Sequence, residues 1–136
     1  MPERATIARA KRDKAEGKAP STQAGEFVRE EMEHIREGKH GARSTKQAIA
    51  IGLSKARRSG VALPPPKAGQ ASSRTRKNAE RALASGRRRT AGATSERRSK
   101  AASRALKREP RAAASHRALS KQAKQSASRR RRQSAK

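Results

Sequence analysis

The larger apolar residues gather in one stretch of the chain and follow a helical spacing there. Phe27, Val28, Met32 and Ile35, together with Ala24, fall on one side of a helix drawn over residues 21–37, while Glu26, Glu30, Glu33 and Glu37 line another side. Ser21 or Thr22 is placed to cap its start, and Gly38 to end it. Ser44-Thr45-Lys46-Gln47 then reads as a capping box, a hydroxyl at the cap with Gln three residues on, and it opens a helix over residues 45–58. Ile49, Gly52, Leu53 and Ala56 share one face of that helix, and Gly52 permits close approach of another helix. Ile51 points nearly the opposite way, which predicts two neighbours, or one neighbour and a second subunit. Gly60 supplies the stop, and Pro64-Pro65-Pro66 a stiff extended linker.

Before this hairpin, residues 2–17 read as a short helix, with Pro2 and Glu3 suited to its first turn and Gly17 to its end. The segment Gly17-Lys18-Ala19-Pro20 breaks the pattern, and Gly38-Lys39-His40-Gly41 reads as a flexible turn. Beyond residue 67 the chain is mostly Ala, Ser, Arg and Lys. A weak, unevenly spaced similarity joins residues 79–83, 102–106 and 115–119, each ending in Leu, and does not amount to a solenoid repeat.

Composition limits how much of this can fold unaided. Hydrophobic residues make up 31% of the 136, but 28 of them are alanine and only 14 are larger. Burying a Leu or Ile contributes roughly 1.5–3 kcal/mol, against about 1–2 kcal/mol of backbone entropy for every residue ordered. The expected fold class is therefore mainly α: a short N-terminal helix and a small helical hairpin, followed by a long basic tail that is disordered or conditionally helical. The matching domains are residues 1–20 (basic helix and linker), 21–63 (hairpin) and 64–136 (Pro-led linker and tail). Like-charge repulsion is expected to keep the tail open until a polyanion neutralises it.

Charge then names a partner class. The net charge is +26, and residues 67–136 hold 23 basic and 3 acidic side chains. So basic a chain gains free energy by displacing the counterions around a polyanion. The candidate nucleic-acid-binding residues are Lys55, Arg57, Arg58, Arg87, Arg88, Arg89, Arg97, Arg98, Lys100, Arg104, Lys107, Arg108, Arg129, Arg130, Arg131 and Arg132. Such side chains hold phosphates and position a protein without reading sequence, and the predominance of Arg suits narrow minor grooves. With a single aromatic residue, Phe27, base stacking is unavailable, so duplex or structured RNA is favoured over single strands. The candidate packing or self-association face is Phe27, Val28, Met32, Ile35, Ile49, Ile51 and Leu53.

Other chemistry is sparse. There is no cysteine, and no phosphate-binding loop, nucleophile elbow or zinc-ligand spacing. Glu30 and Glu31 precede His34 by a helical turn, but a metal site needs three or four convergent ligands. His34 is accordingly read as a solvated residue on an acidic helix. No catalytic residue, metal or cofactor is expected, and no small-molecule substrate. The glutamate stripe is either a solvated face paired with Arg29 and Arg36, or a dock for the basic tail. No segment has the length or apolarity of a membrane span or signal peptide, and the last leucines make no interfacial face, so a cytoplasmic protein is expected.

Residues 1–66 resemble a family of small basic bacterial and phage proteins of unknown function. The resemblance lies in residues 21–31, beginning Ser21-Thr22-Gln23-Ala24-Gly25, in Gly38-Lys39-His40-Gly41, and in the box Lys46-Gln47-Ala48-Ile49-Ala50-Ile51-Gly52-Leu53-Ser54-Lys55-Ala56-Arg57. Some members carry the label DNA-binding or plasmid-stabilisation protein, and the resemblance brings no catalytic or binding residues with it. The expectation is non-enzymatic, largely sequence-independent binding of nucleic acid, DNA before RNA, in a nucleoid-associated or histone-like manner. The alternatives are an RNA- or ribosome-associated basic protein, and an interaction adaptor whose tail only solubilises or localises it.

Overall fold

The structure is a computed structural model that describes residues 2–88 and 96–134. Among these residues it contains α1 (Arg4–Ala15), α2 (Pro20–Arg36), α3 (Thr45–Arg58), α4 (Ser73–Arg88), α5 (Glu96–Lys107), a 3-10 turn at Ala112–Ala114, and α6 (His116–Ser134). The break expected at Gly17-Lys18-Ala19-Pro20 separates α1 from α2, and Pro20 is itself the first helical residue of α2. Its fixed φ suits that position, and it has no N–H to leave unpaired there. At the start of α3, Ser44 Oγ accepts the N–H of Gln47 at 3.1 Å, and the Gln47 side chain accepts the N–H of Arg43 rather than that of Ser44.

α2 is the central element, packed against α1 on one side and α3 on the other. Two apolar clusters result. Met32, Ile35, Ala42 and Ala48 form the first, joined by Val28 and Ile49. Ala10, Ala24, Phe27, Ala56 and Val61 form the second, with Ile7, Leu53 and Leu63 packed on it. Gly52 of α3 lies against the backbone of α2, where an added Cβ would come within 2.7 Å of Val28 Cα. Of the apolar face expected to pack or self-associate, only half-buried Ile51 lies outside both clusters.

The expected disordered tail is corrected by the structure: residues 73–88 and 96–134 are mainly helical, and their ends are docked. The burial argument discounted alanine and glycine, yet these residues let backbones meet. Ala79 and Ala82 are buried on α4, which packs on α3, and Gly86 sits where any Cβ would overlap the Arg57 carbonyl. Ala113 and Ala114 enter the first apolar cluster, and Leu119 of α6 packs beside them. Polar bonds hold this junction: Gly41 N–H donates to Leu106 O at 2.8 Å, Ala42 N–H to Pro110 O at 2.9 Å, and Arg36 Nε to Ala114 O at 3.0 Å. Gly41 is required here because a Cβ would overlap the Glu109 carbonyl. At the far end, α6 places Arg131 and Arg132 in its last turn, where cations complement the helix dipole.

Candidate nucleic-acid interface

Folding the basic half into helices gives its cations fixed positions. On α4, Arg74, Lys77 and Arg81 recur at helical spacing and line one shallow groove with Asn78. Arg81 and Asn78 also line a groove with Arg58 of α3. On α6, Lys124, Arg129 and Arg132 line a groove with Lys46 of α3. α3 thus contributes a cation at each end, one beside α4 and one beside α6. α6 itself carries seven basic residues and no acidic one. At 19 residues it extends about 28 Å, long enough to face several phosphates of a duplex.

The residues singled out from the sequence divide into groups. Arg58, Arg87, Arg97, Arg98, Lys100, Arg104, Lys107, Arg108 and the run Arg129, Arg130, Arg131 and Arg132 are exposed. Arg88 closes α4, and Arg89 lies outside the described residues. Arg57 is buried: its Nε donates to Leu63 O at 3.2 Å and its Nη2 to Pro64 O at 3.0 Å, and burial pushes its pKa down. Lys55 pairs with the buried carboxylate of Glu31. Both side chains are thus engaged within the fold. Sequence reasoning did not single out Lys46, Arg74, Lys77, Arg81 or Lys124. Their spacing of three and four residues was visible, but which helix they would face was not.

The glutamates of α2, and Glu37 that caps its end, are paired with nearby residues. Glu26 holds Arg9 at 2.8 Å, Glu33 holds Arg29 at 3.1 Å and Glu37 holds Lys39 at 3.3 Å. Glu30 turns inward and accepts the N–H of Glu3 at 2.6 Å. His34, expected to be solvated, is largely buried, with Nε2 3.1 Å from Glu3 Oε1. That hydrogen bond, followed by the charge of Lys39, holds the Glu3 carboxyl below its usual range despite some desolvation. His40, assigned to a flexible turn, reaches Glu31 on α2. The two imidazoles meet edge to face, with centroids 6.2 Å apart.

Residues 20–67 match the model of a family of unknown function (DUF6496). The match spans α2, α3 and the proline segment, and so includes Glu30, Glu31, His34, His40 and Lys55 but not α4 to α6. No curated protein and no solved structure matches the chain. Among the described residues no helix is long and apolar enough to cross a membrane.

Proposed function

We propose that this chain is a non-enzymatic nucleic-acid-binding protein that grips the phosphate backbone of duplex DNA with little regard to sequence, in a nucleoid-associated role. The observation that carries the reading is the shared lining of its grooves. Arg58 of α3 stands with Arg81 of α4, and Lys46 of α3 with Lys124, Arg129 and Arg132 of α6. Cations from the packed hairpin and from the basic half therefore stand side by side in two grooves, and the mechanism differs from a flexible tail wrapping a polyanion. Pre-formed helices lose less conformational entropy on binding than a disordered segment does. The resemblance of residues 1–66 to small basic bacterial and phage proteins, some labelled DNA-binding, is in keeping with this reading.

Affinity for duplex DNA across a salt series tests it. Binding is expected to fall steeply with salt, the slope shrinking by about 0.9 for each phosphate-contacting cation neutralised. Replacing Arg58, Arg81, Lys124, Arg129 and Arg132 by Gln together is expected to flatten the slope while helix content stays unchanged. A salt-insensitive affinity, or a slope indifferent to those replacements, overturns the reading. Competition between duplex DNA and structured RNA identifies the preferred polyanion, and a clear preference for RNA replaces DNA in the proposal.

A further inference from the structure

Around the C-terminal half of α2, Glu3, Glu30 and Glu31 meet Lys39, Lys55 and two histidines. With neutral imidazoles this leaves one negative charge in excess, inside a chain whose net charge is +26. The hydrogen-bond chemistry of His40 sharpens the point. Its Nδ1 lies 2.9 Å from the carbonyl oxygen of Gly41, and since a carbonyl can only accept, Nδ1 carries the ring proton. In the neutral ring Nε2 then presents a lone pair, and it lies 3.1 Å from Oε2 of Glu31, which is another acceptor. Glu31 is fully buried, and its Oε2 receives no hydrogen bond. Lys55 is committed to the other carboxylate oxygen, Oε1. Two acceptors this close in a buried site are stabilised by a cation held beside both. His34 completes the set, since one donor atom from each of Glu31, His34 and His40 lies within 4.8 Å of the others.

We propose that Glu31, His34 and His40 bind a divalent transition-metal ion of the zinc class. Two imidazoles and a carboxylate suit Zn²⁺ and its first-row neighbours, whereas Mg²⁺ and Ca²⁺ favour all-oxygen sites. Two ligands are already held from behind, His40 by the Gly41 carbonyl and Glu31 by Lys55. The ligands of a tetrahedral zinc ion stand roughly 3.4 Å apart, close to the 3.1 Å between His40 Nε2 and Glu31 Oε2, so binding pins the turn after α2 to the helix. The side chains of His34 and His40 keep 13% and 14% of their exposure, which leaves a way in for the ion. Glu3, Glu30 and His34 form a neighbouring group of similar span that shares His34. Glu30 Oε2 is orphaned there as well, but Glu3 and His34 already bond each other and Lys39 pairs with Glu3, which favours the group containing His40.

The test uses the full-length chain, stripped with a chelator and titrated calorimetrically with Zn²⁺, then with Co²⁺ as a spectroscopic probe. One ion per chain is expected, with a cobalt spectrum showing nitrogen ligation and a higher melting temperature with zinc. His40→Gln is expected to weaken binding at least tenfold and to abolish the thermal shift, whereas His116→Gln, outside the cluster, leaves both within twofold. The proposal is overturned if zinc does not bind, or if His34→Gln and His40→Gln bind as the parent does. Loss of binding in Glu3→Gln but not in His40→Gln also overturns it, by moving the ion to the neighbouring group. If His40→Gln fails to fold, the unaltered chain decides, and a cobalt spectrum without nitrogen ligation refutes the site.

Discussion

The hydroxyl of Thr45, the first residue of α3, donates to the carbonyl of Ala113 across 2.6 Å in the buried interior, joining positions 68 residues apart. This bond and the alanines beside it fix the basic C-terminal helix to the hairpin. Thr45→Val keeps the shape and removes the donor, leaving the Ala113 carbonyl unsatisfied. The expected loss is about 1–3 kcal/mol, read from chemical denaturation of the full chain.

Two glycines should respond in opposite ways to the same substitution. Gly41→Ala drives a methyl group into the Glu109 carbonyl, and the expected cost is about 1–3 kcal/mol. Limited proteolysis should also quicken between α5 and α6 as that junction loosens. Gly25 lies within α2 with nothing near its absent Cβ, so Gly25→Ala should raise stability by about 0.5–1 kcal/mol. Melting curves of the two variants check the contrast.

Neighbouring arginines on α3 separate folding from binding. Arg57→Gln removes a buried guanidinium from the carbonyls of Leu63 and Pro64, and about 1.5–3 kcal/mol of stability should go with it. Arg58→Gln alters an exposed side chain, so stability should hold within about 0.5 kcal/mol. In that variant the salt slope of DNA binding should instead fall by about 0.9. Denaturation and binding titrations on both variants give the comparison.

The turn between α1 and α2 carries an alkaline signature. The Lys18 ammonium reaches Asp13 at 3.0 Å and Glu16 at 3.1 Å, and these hydrogen bonds raise its pKa above the ordinary 10.5. A cation whose pKa is raised on folding contributes fully below the unfolded value and loses that contribution as pH rises through the folded one. Stability should therefore decline slightly above about pH 10.5, and less so in Lys18→Gln. Because Lys18 is exposed, the difference should shrink in high salt. Melting temperatures across alkaline pH measure it.

What could be read from the sequence follows the size of the side chain involved. Phe27, Met32 and Ile35 announce α2 through spacing alone, and the Ser44 hydroxyl with Gln47 marks where α3 begins. Ala113 and Ala114 announce nothing, because each buries little area, and only a facing backbone makes that area count. Gly41 and Gly86 are silent for the same reason, since the carbonyls they accommodate lie 68 and 29 residues away in sequence. The tail was therefore expected to be open although it is docked. Glu31, His34 and His40 were legible as types, but their convergence depends on the fold of the turn after Gly38, which brings His40 back onto α2.

The pairing of Thr45 with Ala113 also sets a tempo. Native contacts so far apart along the chain form late, because a large loop must close before they gain anything. The enclosed segment holds α4 and α5 and is strongly basic, so its own repulsion resists that closure. Mobile anions then act on the rate of assembly: refolding should be slow in dilute buffer and quicken as ionic strength rises. A polyanion would do the same at far lower concentration, acting as an electrostatic chaperone during folding.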